Sequence, residues 1–123
     1  MKKSVIFLFF LLLAACGKEN GITFCEGVNR EGEGVKCGTK FEAGDLTALV
    51  NTEAPFETAS IKIDVFQVDG RHEEKIESLN VETRPDDTRK AVPLSLYQGG
   101  KFKVRAIKGD NALAEGEVEI IEN

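Results

Sequence analysis

The side chains able to do chemistry are few and widely separated. His72 is the only histidine, set in Gly70-Arg71-His72-Glu73 among charged neighbours. That context describes a solvated turn residue better than a proton donor, and no second imidazole stands near to form a relay. Ser60, Ser78 and Ser95 sit in segments that read as strands, and none lies in the G-x-S-x-G turn that exposes a nucleophilic serine. Asp64 with Asp69, and Asp86 with Asp87, are carboxylate pairs by sequence only. Neighbouring strand residues face opposite ways, and the second pair falls in a polar loop. Zinc needs four ligands, and Cys25, Cys37 and the distant His72 fall short of that set. Glu26, Glu31 and Glu33 with Asn29 lack the ordered D-x-D-x-D-G spacing of a calcium loop. No glycine-rich phosphate loop links a strand to a helix. Stacking sites for sugars are equally sparse: there is no Trp, and Tyr97 is the only tyrosine. Tyr97 is expected as a corner residue whose hydroxyl ties a loop to the backbone. No catalytic residue, metal ligand or cofactor is expected, and the chain is read as non-enzymatic.

The N-terminus is more explicit. Lys2 and Lys3 form a positive region, and Val5 to Ala15 is an apolar run of eleven residues. A bilayer span needs about 20 residues, whereas the core of a signal peptide is shorter. Leu13-Ala14-Ala15-Cys16 follows directly. This stretch resembles the lipobox of bacterial lipoproteins: a branched apolar residue, two small residues, then Cys. The resemblance covers residues 1–16. It implies that a diacylglyceryl group is attached to the Cys16 sulfur, that the signal peptide 1–15 is removed, and that the new amine is acylated. Palmitate-type chains would then anchor the protein. One acyl chain binds membranes only reversibly, and stable anchoring takes more than one. Gly17 follows Cys16 in place of the Asp that resembles an inner-membrane retention signal, so the outer membrane is the expected site, with the domain facing either the periplasm or the cell surface.

The other two cysteines fit an oxidising compartment. Cys25 and Cys37 enclose EGVNREGEGVK, a loop with three glycines and no apolar run to order it. Paired cysteines in exported chains usually form a disulfide. Closing a loop of this length removes roughly 3 kcal/mol of unfolded-state entropy. The bond also leaves no free thiol for a Cys-His pair.

Setting the leader aside changes the composition. Without Lys2 and Lys3 there are 14 basic residues against 21 acidic ones, a formal charge of −7. This acidity argues against nucleic acid and against electrostatic binding to anionic lipid. Residues 16–21 are expected as the lipidated Cys with a polar tether, and 22–123 as one domain of ordinary size.

Period-2 runs dominate that domain, and no helical period is sustained. Strands are expected at Ile22–Cys25, Cys37–Phe41, Leu46–Asn51, Ser60–Val68, Glu73–Glu82, Arg89–Leu96, Lys101–Ile107 and Leu113–Ile121. Pro93 confines its strand to an edge or a kink. The last two runs pin each other. A three-residue loop at Gly109-Asp110-Asn111 would pair Lys108 with Ala112, Arg105 with Glu115, Lys103 with Glu117 and Lys101 with Glu119. The other face would pair Ala106 with Ala114 and Phe102 with Val118. Charge and burial agree in one register.

Turns every 8–12 residues predict an all-β, immunoglobulin-like or fibronectin-like sandwich of about seven antiparallel strands. Leu96-Tyr97-Gln98-Gly99-Gly100-Lys101-Phe102-Lys103-Val104 and Ala112-Leu113-Ala114-Glu115-Gly116-Glu117-Val118 resemble the last two strands of bacterial Ig-like modules. A small barrel is the alternative. Phe56, a large apolar residue in the polar loop Asn51-Thr52-Glu53-Ala54-Pro55-Phe56, is a candidate binding residue or else a core plug. The expected role is a membrane-anchored protein-binding or adaptor module of the envelope with an unidentified protein partner, the alternative being a structural subunit of a larger envelope assembly.

Overall fold

The computed structural model describes residues 20–122, so the expected signal peptide 1–15, Cys16 and most of the expected tether lie outside the described residues. Nine strands follow one another: β1 (Gly21–Val28), β2 (Gly34–Gly38), β3 (Lys40–Glu42), β4 (Gly44–Asn51), β5 (Ser60–Asp69), β6 (His72–Glu82), β7 (Arg89–Leu96), β8 (Gly100–Lys108) and β9 (Asn111–Ile121). They form two sheets, ordered β2-β1-β4-β7 and β3-β9-β8-β5-β6. No helix occurs among the described residues, and none there is long and apolar enough to cross a membrane.

The count of about seven strands is corrected to nine. The difference lies in the polar stretch between Val28 and Gly44, where one expected segment yields two strands. The expected strand Cys37–Phe41 divides at Thr39: β2 pairs with β1, and β3 crosses to the other sheet. There β3 lies parallel to β9, Lys40 opposite Glu119, so the sandwich is not wholly antiparallel.

Both sheets turn one face inward. Phe24, Ala48, Val50, Val92 and Leu94 from the first sheet meet Ile61, Ile63, Val65, Phe102, Val104 and Val118 from the second. Gly116 permits a close approach between the sheets, because a Cβ there would stand 2.7 Å from the Ile22 carbonyl oxygen and 3.1 Å from the Phe24 ring. Phe56 is 1% exposed and belongs to this core, so the structure places it as the core plug. Its amide donates to the Asp87 carbonyl at 2.8 Å, and the Lys108 ammonium donates to its carbonyl at 3.0 Å.

The C-terminal hairpin adopts the expected pairs: Arg105 with Glu115, Lys103 with Glu117, Lys101 with Glu119, Phe102 with Val118 and Ala106 with Ala114. The turn differs. Lys108 pairs with Asn111, not Ala112, and the register shifts between Ala106 and Ile107. A two-residue turn, with Gly109 at φ 60°, replaces the three-residue loop, and Leu113 becomes the extra residue of a bulge.

Candidate functional site

Three groups of side chains stand apart from the core. The first surrounds the disulfide between Cys25 and Cys37, which face each other across β1 and β2. Phe24 points into the core, so Cys25 points out of it by strand alternation, yet Cys25 is fully buried. The cover comes from the β1–β2 hairpin itself. The ladder skips the step between Glu26 and Lys36, and Lys36 takes a left-handed φ of 55°. The hairpin therefore turns back over the outer face of the first sheet. Gly34 rests on both sulfurs and on Leu49, which is 6% exposed although it faces away from the core. The tip is fastened by Arg89, which donates from Nη1 to the Gly32 carbonyl at 3.1 Å and from Nε to Asn51 at 3.1 Å. Asn29 closes the turn, its side-chain oxygen accepting from the amides of Glu31 and Glu33.

Beside this flap lies a cleft of about 620 Å³ whose walls include Glu26, Lys36, Cys37, Lys40, Glu42 and Asp45. Asp45 is its best-organised member. Ser95 Oγ and Tyr97 Oη donate to the same carboxylate oxygen at 2.8 and 2.9 Å. Those two bonds hold the Asp45 carboxyl below its ordinary range, and the carboxylate in turn pushes the Tyr97 phenol up. Tyr97 thus ties its loop to a carboxylate and not to backbone, as a corner residue would.

The third group is the outer face of the second sheet. Lys103 meets Glu73 at 2.5 Å and Glu117 at 3.8 Å, and Arg105 meets Glu115 at 2.7 Å while lying 4.8 Å from the Phe66 ring centroid. The side chains of Lys103 and Arg105 are only 17% and 29% exposed, so the basic row is a packed network and not a fully solvated ladder. Asp64 is 3% exposed, accepting from Ser78 Oγ at 2.7 Å with Lys75 3.5 Å away. Burial acts to raise the Asp64 carboxyl, but Ser78, Lys75 and Lys62 outweigh it and leave it below its ordinary value. Glu73 is lowered too, first by its bond to Lys103.

These directions predict acid behaviour. A carboxyl depressed in the folded state contributes stability above its unfolded value, near pH 4, and loses it as pH falls toward the folded value. The melting temperature should therefore fall as the solution is acidified below about pH 4. Asp64→Asn should flatten that fall, and melts across an acid series in wild type and variant measure it.

His72 lies exposed at the start of β6, away from both cysteines. Among the described residues, no group of three or more His, Cys, Asp or Glu side chains gathers as a metal site would require. Sequence reasoning found Cys25 and Cys37 but missed Asp45, because its partners Ser95 and Tyr97 are fifty or more residues away and only the β4–β7 register joins them.

No protein-family model and no curated protein matches the chain by sequence. Solved structures resemble it in fold. Two point variants of a superoxide reductase (neelaredoxin) from Ignicoccus hospitalis superpose with TM-scores of 0.48 and 0.45, at 15% and 17% identity, covering 92% and 90% of this chain and 86% of each of theirs. A further structure of that reductase gives 0.43 at 16% identity, over 83% of both chains. The expectation of a non-enzymatic module, whether adaptor or structural subunit, is corrected on this finding: these three solved structures are those of an enzyme. No reaction, substrate or metal passes from them to this chain.

Proposed function

We propose that this chain is a lipid-anchored domain of the bacterial envelope, carried by its acylated Cys16 and kept within a short tether's reach of the membrane surface. The observation that supports it most is the junction between leader and fold. The lipobox-like Leu13-Ala14-Ala15-Cys16 ends five residues before β1 begins at Gly21. Five extended steps reach at most roughly 18 Å. The end of the sandwich that holds Gly21 must then lie close to the bilayer. Asn20 fastens that end, since its side-chain oxygen accepts the Glu53 amide at 2.8 Å. The loops 52–58 and 83–88 and the turn at Gly109 share it. The opposite end, with Gly44, Tyr97 and the Asp69–His72 turn, lies about 26 Å from it along the strands, the length of an eight-residue strand. The absence of Asp after Cys16 favours the outer membrane.

The pairings β1-β4-β7 and β9-β8-β5-β6 correspond to strands A-B-E and G-F-C-C′ of an immunoglobulin-like sandwich, with β2 and β3 added at the edges.

Cys16→Ser tests the anchor. Wild-type protein should incorporate labelled palmitate and partition into the detergent phase. The variant should remain in the aqueous phase, or retain its leader. A mature-sized variant that still enters the detergent phase would sink the proposal.

A further inference from the structure

The two sheets part along one side of the sandwich, between β6 and β7. Each of these strands is hydrogen-bonded to one neighbour only, β6 to β5 and β7 to β4. Between them runs a groove of about 360 Å³ lined by Ile76, Glu77, Leu96, Tyr97, Phe102 and Glu122. Leu96 and Phe102 form its buried apolar floor. Ile76 and Tyr97 rise at its rims, 45% and 64% exposed.

Two features distinguish this groove from an ordinary seam. Tyr97 keeps its ring in solvent while its hydroxyl is fixed on Asp45 at 2.9 Å, so an exposed aromatic face is held in place before anything binds. The groove also carries Glu77 and Glu122 and no basic side chain, while the one lysine of β6, Lys75, stands 3.5 Å from Asp64. Glu77 lies opposite Val65, in the phase that faces inward lower down the strand, where Leu79 and Val81 pack on the core. Inward carboxylates at a sheet edge prevent pairing with a second acidic copy of the same edge. The same charge attracts a cation, and a fixed aromatic face strengthens that attraction.

We propose that the groove receives an extended segment of another protein, bearing Lys or Arg between apolar residues, which adds as a strand along the free edge of β6. Main-chain bonds to β6 give such a segment its hold. Its cationic side chains meet Glu77, Glu122 and the Tyr97 ring, and its alternate apolar side chains cover Leu96 and Phe102. The groove lies at the end of the sandwich away from Gly21, and the proposal stands whether or not Cys16 is acylated.

Hydrogen exchange on the full chain in neutral detergent micelles tests it, with a short peptide alternating Lys and Val as probe and its Glu-for-Lys counterpart as control. The Lys peptide should slow exchange in residues 72–78 by roughly tenfold or more, and the Glu peptide should not. Tyr97→Ala should weaken the Lys peptide by about tenfold. Glu77→Lys with Glu122→Lys, both exposed changes that leave the core intact, should transfer the preference to the Glu peptide. Equal effects of the two peptides, protection confined to β2 or β3, no protection at all, or a stable dimer through β6 without peptide would each overturn the proposal.

Discussion

Phe102→Ala should lower the melting temperature by roughly 15–30 °C, the size expected when a core Phe is truncated at about 3–5 kcal/mol in a domain of this length. Phe102 is 1% exposed and pairs with Val118 on β9 and Gln67 on β5. It therefore sits where β8 is enclosed by strands on both sides and by the facing sheet above. Removing the ring leaves a cavity beneath the β6–β7 groove that these neighbours, held by their own ladders, fill only in part. A domain of this kind has a margin of about 5–15 kcal/mol, so the variant should be near the limit of folding. Lys103→Ala, one residue away on the opposite face, should move the melting temperature far less. It should also weaken the acid and alkaline limits together, since Glu73 is lowered and Lys103 raised by their mutual bond. The raised ammonium contributes stability below its unfolded value and loses it as pH climbs through its folded one. Thermal melts of both variants decide the face assignment. Equal melting temperatures, or a larger loss for Lys103→Ala, would overturn that assignment.

The C-terminal hairpin was readable from sequence because two independent patterns, apolar alternation and charge complementarity, select the same register. The disulfide was readable because Cys25 and Cys37 close a short polar loop and have no other cysteine partner within the domain. The flap was not. Nothing in EGVNREGEGVK has strand periodicity, and its cover over Leu49 depends on a turn-back at Lys36, a non-glycine residue at positive φ. Local pattern gives no hint of such a backbone, and only tertiary packing of Gly34 selects it. Phe56 was legible only as a choice between a binding residue and a core plug. In sequence it is a large apolar residue in a polar loop, and loops are usually surface features. The loop 52–58 folds inward because Asp87 and Pro85 accept the amides of Phe56 and Glu57, contacts made across thirty residues of chain. Asp45 with Tyr97 has the same character: its meaning comes from a strand pairing, not from any motif.

Replacing both cysteines, Cys25→Ala with Cys37→Ala, should cost roughly 3 kcal/mol on the chain-entropy account, and the loss should be unevenly distributed. Exchange should quicken first in residues 26–36, which the disulfide holds at their root and Arg89 at their tip. The β8–β9 hairpin lies in the other sheet and should change only as far as global stability falls. Gly34→Ala separates packing from covalent closure. A Cβ at Gly34 would stand inside van der Waals contact of both sulfurs and 3.1 Å from Leu49 Cδ1. The sulfurs, bonded to each other, cannot swing aside as a free side chain would. The hairpin must lift instead, exposing Leu49 and quickening exchange at residues 27–35. In the background lacking both cysteines that clash is gone, and the same substitution should have a much smaller effect. The difference is a coupling energy between Gly34 and the disulfide, read from a double-mutant cycle of exchange rates. If Gly34→Ala quickens the hairpin equally with and without the cysteines, the clash at Gly34 lies with Leu49 and not with the sulfurs, and the disulfide is not what the flap rests upon.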